Sequence, residues 1–299
     1  MPLPDTFPAE LLAPPDPAAL PLPPLAPAGD GVRLLRGAVY AVPEGNRPLE
    51  LDLWLPARAQ GPVPVIVFVH GGAWRTGLRD DLGPRFRHWQ PGPFARLVRA
   101  GFALACPDYR LSGEVTHPGQ LRDLRAAVAW LRTRSAELGL DADRTVLWGE
   151  SAGGHLAALL ALTAGAPPIR GCVTWYAPTD LTRLAEDQPP GNYDPADPGT
   201  FEALLIGGAL TDLPDRARDA SPVSHVAPGA PPFLVLHGTY DVIVPCAQGD
   251  RLVSALRAVG AHAELVPVPG GDHLWAGIPE DEVERCFTAS LDFAVRCVR

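Results

Sequence analysis

Apolar positions along the chain fall into runs of two periods. Over 32–42 and 48–55 apolar and polar residues alternate, with Glu50 and Asp52 set between Leu49, Leu51 and Leu53. That period-two pattern predicts half-buried antiparallel strands at a sheet edge. Val63–Val69 is instead a continuous, largely β-branched run, as expected of a strand covered on both faces. Similar runs recur at 102–106, 145–148, 171–176, Phe233–Gly238 and Ala263–Val268. Helical periodicity lies between them: about 91–100, then 119–138 with Leu121, Leu124, Ala127, Val128 and Leu131 on one face, then from Ser151 to about Thr163, then 247–259 and 280–298. Strand and helix alternating this often predict an α/β fold: a mostly parallel, doubly wound sheet with antiparallel N-terminal strands and flanking helices.

Two stretches interrupt the alternation. Residues 1–30 contain ten prolines, a density that opposes regular helix and sheet and predicts an extended, partly polyproline arm. Residues 181–220 are rich in Pro, Asp and Gly, with short helical patches such as Phe201–Ile206. An irregular insertion of that length inside a compact domain is usually functional or disordered, and here it is expected to form a small cap. No internal repeat or second core is evident, so 31–299 reads as one domain carrying the cap.

Composition narrows the function classes. The net charge of −9 and the absence of a basic run give no footing for nucleic acid. All 25 basic residues are arginine, which excludes a Schiff-base lysine and a P-loop lysine. Five cysteines, Cys106, Cys172, Cys246, Cys286 and Cys297, are odd in number and lack C-x-x-C spacing. They predict thiols in a reducing compartment rather than a disulfide framework or a zinc site. No apolar run approaches the roughly 18 residues of a membrane span. The N-terminus lacks the basic and apolar regions of a secretory signal. The expected location is cytoplasmic.

The chemistry gathers where strands end, as it does in open α/β sheets. The 145–148 strand runs into Gly149-Glu150-Ser151-Ala152-Gly153-Gly154-His155, followed at once by a helical pattern. Strand, tight turn and helix are the context in which G-x-S-x-G holds a serine hydroxyl on a strained elbow. Asp241 follows the Phe233–Gly238 strand, and His273 follows Ala263–Val268 within Gly270-Gly271-Asp272-His273. A serine needs a base to take its proton, and the base needs an acid to fix its tautomer. Ser151, Asp241 and His273 on successive strand ends supply that set. Asp241 is preferred as the acid over Asp272, whose adjacency to His273 makes mutual aiming awkward, and over Glu264, which begins a strand. His155 lies on the same helix as the nucleophile and reads as a packing or hydrogen-bonding residue, and His70 as a brace. The oxyanion of a tetrahedral intermediate needs fixed donors. Candidates are the amides of Gly71, Gly72 and Ala73, after the Val63–Val69 strand, and of Ala152. Trp74, Tyr176 and Trp275 lie beside these residues in sequence and are candidate pocket walls.

These pieces together resemble an α/β-hydrolase of the hormone-sensitive-lipase-like group, among the carboxylesterases with an H-G-G-x-W motif. The matching segments are His70-Gly71-Gly72-Ala73-Trp74, Asp108-Tyr109-Arg110-Leu111-Ser112, Gly149 through His155, Ala220-Ser221-Pro222-Val223, His237 through Asp241 and Gly270 through His273. They span the chain from about residue 48 to its end. The third glycine common in the lipase-like motif is Ala73 here. The resemblance implies a cofactor-free serine hydrolase acting on carboxylic esters, with a small-molecule ester as partner. The cap segment is short and poor in large apolar residues, so short- to medium-chain acyl groups or aryl esters are expected; monomer and homodimer both stay open. H-G-G-x-W also occurs in kynurenine formamidases and in feruloyl and acetylxylan esterases, so those substrates stay open, as does a catalytically inactive binding module of the same fold.

Overall fold

A computed structural model describes residues 14–163 and 168–299. The continuous apolar runs become the middle of one nine-stranded sheet, β1 (Leu25–Gly29), β2 (Val32–Ala41), β3 (Leu49–Pro56), β4 (Val63–Val69), β5 (Ala103–Pro107), β6 (Leu140–Glu150), β7 (Gly171–Trp175), β8 (Phe233–Gly238) and β9 (Ala263–Val268). Their spatial order is β1-β2-β3-β5-β4-β6-β7-β8-β9. The pairs β1·β2, β2·β3 and β3·β5 are antiparallel, and every pair from β5 to β9 is parallel. The helices are α1 (Pro93–Arg99), α2 (Gly119–Thr133), α3 (Ser135–Leu138), α4 (Ala152–Leu162), α5 (Leu184–Asp187), α6 (Phe201–Ile206), α7 (Pro214–Asp219), α8 (Ala247–Ala258) and α9 (Glu280–Val298).

Side-chain alternation along β4 sends Val65, Val67 and Val69 to one apolar layer and Ile66 and Phe68 to the other. The first layer also holds buried residues of α2, α4 and α8, among them Leu124, Leu156 and Leu252. The second holds Phe94 and Leu97 of α1 with Phe287 and Phe293 of α9. Both faces of the central strands are thus covered, which is why those strands read as near-continuous apolar runs.

Two sequence expectations change, one in the proline-rich arm and one in the helix over 119–138. Residues 1–13 of the proline-rich arm, with Phe7, lie outside the described residues. Further along the arm, Leu25–Gly29 is a strand, contrary to the expectation of no sheet. It pairs with β2 only, with Pro27 opposite Arg33; on an edge strand a missing N–H costs no ladder bond on the solvent side. Just before it, the Trp130 indole donates to the Pro17 carbonyl at 3.2 Å, tying the arm to α2. The single helix expected over 119–138 breaks at Arg134 (φ −93°, ψ 4°) into α2 and α3. The insertion 181–220 has no core of its own: Leu184, Leu205, Ile206 and Ala217 join the first apolar layer, and the His117 amide donates to the Leu205 carbonyl at 2.7 Å. Among the described residues, no helix is long and apolar enough to cross a membrane.

Candidate active site

β6 ends at Glu150, α4 starts at Ala152, and Ser151 between them has φ 52° and ψ −124°. No room exists at the flanks for side chains: a Cβ on Gly149 would meet the Gly153 carbonyl, and one on Gly153 the Val69 carbonyl. Seven non-glycine residues among those described have positive φ, and six of them, Ala73, Trp74, Ser151, Tyr176, Leu274 and Trp275, sit at strand ends around this elbow. Strain concentrated so locally is the mark of a site whose geometry the surrounding fold over-determines.

Ser151, Asp241 and His273 meet there although 122 residues separate the serine from the histidine. Ser151 Oγ lies 3.0 Å from His273 Nε2, and His273 Nδ1 lies 2.8 Å from Asp241 Oδ2. Asp241 Oδ1 accepts the Ile243 amide at 3.0 Å and the Val244 amide at 2.8 Å, so the carboxylate cannot swing. Burial alone would raise this carboxyl. Interactions with His237 and His273 and the Val244 amide outweigh burial and hold it at about 2. Asp272 turns elsewhere: its Oδ1 accepts the Val242 and His273 amides, at 3.0 and 2.7 Å. Glu264 faces His262 at 3.0 Å, away from the site. His237 was not anticipated: its Nε2 donates to the Val244 carbonyl at 2.7 Å and lies 3.6 Å from Asp241 Oδ2. Its position inside a strand gave no signal of this.

Of the expected oxyanion donors, Gly71 is removed. Its amide is spent on Glu150 Oε1 at 2.6 Å, and it does not line the cavity in front of Ser151. Gly72, Ala73 and Ala152 do line it, and their amides have no acceptor among the described residues. The Glu150 carboxyl is lifted to about 7 by burial, against the opposing pull of His273 and the Gly71 amide. His70 braces the same loop, donating from Nδ1 to the Gly71 carbonyl at 2.7 Å and stacking on Tyr109 with centroids 4.4 Å apart.

The cavity is about 450 Å³, walled by Trp74, Pro178, Phe201, Ile243, Val244 and Leu274, with Arg75, Thr76 and Glu202 also on its surface. Trp74 is the only one of the three expected pocket aromatics found there. Tyr176 and Trp275, both at positive φ, turn into the interior instead. Tyr176 packs edge-on against His273 (centroids 4.7 Å) and Trp275 against Tyr176 (4.7 Å), so they back the histidine rather than face a ligand. Trp74 is held by His155, whose Nδ1 accepts the indole N–H at 3.2 Å while Nε2 donates to the Ala220 carbonyl at 2.6 Å. Burial pushes His155 down to about 3, so it is a neutral linker between the Gly72 loop and the insertion. Pro178, Ile243 and Leu274 were missed because each sits in an irregular segment with no periodicity to assign it a face, and Phe201 because its helix, α6, is only six residues long. No group of three or more His, Cys, Asp or Glu among the described residues is placed to hold a metal ion.

The BD-FAE family model matches residues 51–256. The chain belongs to the BD-FAE family. Within the matched region lie most of β3, all of β4 to β8, Ser151 and Asp241. Similar curated proteins include the Mycobacterium tuberculosis esterase LipC, 32% identical over 77% of this chain and 58% of LipC, and esterase LipQ of the same organism, 35% identical over 74% of this chain and 53% of LipQ. The chain therefore spans little more than half the length of these relatives. A truncated carbohydrate esterase from gut microbiota superposes with a TM-score of 0.78 at 25% identity, covering 91% of this chain and 99% of that one. The sheet order and the elbow of this BD-FAE chain are those of an α/β-hydrolase fold.

Proposed function

We propose that this BD-FAE chain is a serine hydrolase that cleaves carboxylic esters through an acyl-enzyme. The observation that carries the reading is the unbroken line Asp241–His273–Ser151, opening on a cavity lined by three amides free to donate. Its relatives named as esterases support the same class.

In this reading Ser151 Oγ attacks the carbonyl carbon as its proton passes to His273 Nε2. The new oxyanion accepts from the Gly72, Ala73 and Ala152 amides, the last at the positive end of α4. Asp241 accepts the Nδ1–H and stabilises the imidazolium. Collapse of the tetrahedral intermediate breaks the bond to the alcohol oxygen, which takes the proton from Nε2. Water then repeats the sequence, giving up its proton to His273 and releasing the acid. A cavity of about 450 Å³ with apolar walls suits short- to medium-chain acyl groups or an aryl ring.

The test compares kcat/KM on 4-nitrophenyl acetate, butyrate and octanoate with that on N-formylkynurenine, together with fluorophosphonate labelling. Expected are ester turnover highest at the shorter acyl groups and labelling that Ser151→Ala abolishes. A much higher kcat/KM on the formamide would replace the ester reading by an amide-cleaving one. Absence of labelling in the folded wild type would leave a binding module.

A further inference from the structure

Arginines near the site are nearly all committed to partners. Arg79 pairs with Asp52, Asp108 and Glu50, at 2.9, 2.8 and 3.0 Å. Arg85 donates to the Trp275 and Ile278 carbonyls and pairs with Glu280. Arg110 pairs with Asp123 at 2.7 Å, and Arg251 with Asp187 at 2.6 Å. Arg75 differs. It is exposed, lines the cavity, and its guanidinium has no ion-pair or hydrogen-bond partner among the described residues. Its backbone is nonetheless fixed, since the Arg75 and Thr76 amides both donate to the Gly72 carbonyl at 3.0 Å. The free cation therefore hangs from the same tight turn that presents Gly72 and Ala73.

The other ionisable groups on the cavity are His273 and Glu202. Glu202 has a partner of its own, accepting the Tyr193 hydroxyl at 3.1 Å, whereas the Arg75 guanidinium has none among the described residues. Around them Phe201, Ile243 and Leu274 are 46%, 56% and 36% exposed and come from three separate segments, α6 and the turns after β8 and β9. An apolar rim carrying one unpaired guanidinium is complementary to a ligand with an apolar body and an anionic end, because a planar guanidinium binds a carboxylate through paired hydrogen bonds and gains when apolar surface excludes water beside it.

We infer that Arg75 is a specificity-determining residue and that the substrate class is esters bearing a carboxylate. The inference rests on the ester-hydrolase reading above and adds the charge of the substrate to it.

Three esters of nearly equal length separate the cases: 4-nitrophenyl valerate (neutral), mono-4-nitrophenyl glutarate (anionic) and the 4-nitrophenyl ester of 4-(trimethylammonio)butyrate (cationic). The readout is the ratio of kcat/KM for glutarate to that for valerate, in which effects common to both substrates cancel. In the wild type this ratio is expected to exceed one, and to fall about twofold to fivefold in Arg75→Gln, the range for an exposed ion pair. Arg75→Glu is expected to shift preference to the trimethylammonium ester. As a check needing no variant, raising NaCl from 0.02 to 0.5 M narrows the wild-type ratio, since a charge at the cavity mouth is screened. Valerate turnover with a ratio that neither Arg75→Gln nor salt moves overturns this inference alone. Preference for the trimethylammonium ester in the wild type overturns it too, in favour of Glu202. No turnover of any of the three esters by the wild type overturns the ester reading, and this inference with it.

Discussion

At Asp241 burial and hydrogen bonding pull in opposite directions, and hydrogen bonding prevails. The carboxyl at about 2 is ionised near neutral pH, so in the proposed mechanism its task is to orient His273 rather than to move protons. Asp241→Asn keeps the size and the contacts of Oδ1 with the Ile243 and Val244 amides but offers a donor or a weak acceptor to Nδ1. Steady-state kinetics on 4-nitrophenyl butyrate should show kcat down about a thousandfold or more, with a smaller change in KM; a loss under tenfold would remove Asp241 from the proposed triad. That Ser151, Asp241 and His273 come together was readable beforehand because strand ends concentrate polar groups and the three fall in a recognisable order. Gly71 was misread for a physical reason: which amide of a glycine pair is free depends on Glu150, 79 positions away, whose carboxylate claims it. Tyr176 and Trp275 were misread because sequence proximity to a site does not say which way a left-handed backbone points its side chain.

Among the elements, the loop from β4 to α1 carries the most consequence. It presents Gly72 and Ala73, and it is anchored by His70 at its start and by Arg79 further along. Asp52 is fully buried on β3; Arg79 is its 2.9 Å partner, with the Gly37 amide at 2.9 Å and Arg36 at 3.5 Å. Arg79→Gln leaves that carboxylate poorly compensated, a change of the kind that costs about 3–5 kcal/mol in buried pairs. Thermal unfolding should fall by about 5 °C or more. Because the loop also aims the proposed oxyanion donors, kcat should fall more than KM rises; an unchanged kcat would show that the ion pairs support the fold only. The alternation of strand and helix that frames this loop was legible from periodicity. The paired part of the proline-rich arm was not, because proline rules forbid only the interior of a sheet and say nothing against its edge.

For the molecule as a whole, the buried titratable groups set opposing slopes of stability with pH. His155 stays neutral in the fold down to about 3, whereas an unfolded histidine takes a proton near 6.5. The unfolded chain then binds more protons, so His155 costs stability as pH falls from about 6.5 towards 3. Glu150 works the other way. The fold keeps its proton up to about 7, while an unfolded glutamate releases it near 4.5. Stability is therefore lost as pH rises from about 4.5 through 7. Glu150→Gln retains an acceptor for the Gly71 amide and cannot ionise. Urea midpoints at pH 5 and pH 7.5 should show the variant gaining on the wild type towards pH 7.5; a constant difference would mean that Glu150 is ionised in the fold throughout. The packing behind this, two apolar layers on one sheet, followed from the continuous β-branched runs. The docking of 181–220 onto the first layer did not, since its buried residues, such as Leu184, Leu205 and Ala217, are too sparsely spaced to form a period.

Ala73 sits at φ 53° where related motifs carry a glycine. For laboratory evolution this makes it an unusual starting point, because strain and the aim of the turn meet at one residue. Ala73→Gly removes a left-handed alanine worth about 1 kcal/mol of strain, but it also returns backbone freedom to the turn that aims the oxyanion donors. Selection for heat resistance and selection for turnover should therefore pull this position apart. Screens run separately on melting temperature and on kcat would be expected to keep glycine in the first and alanine in the second.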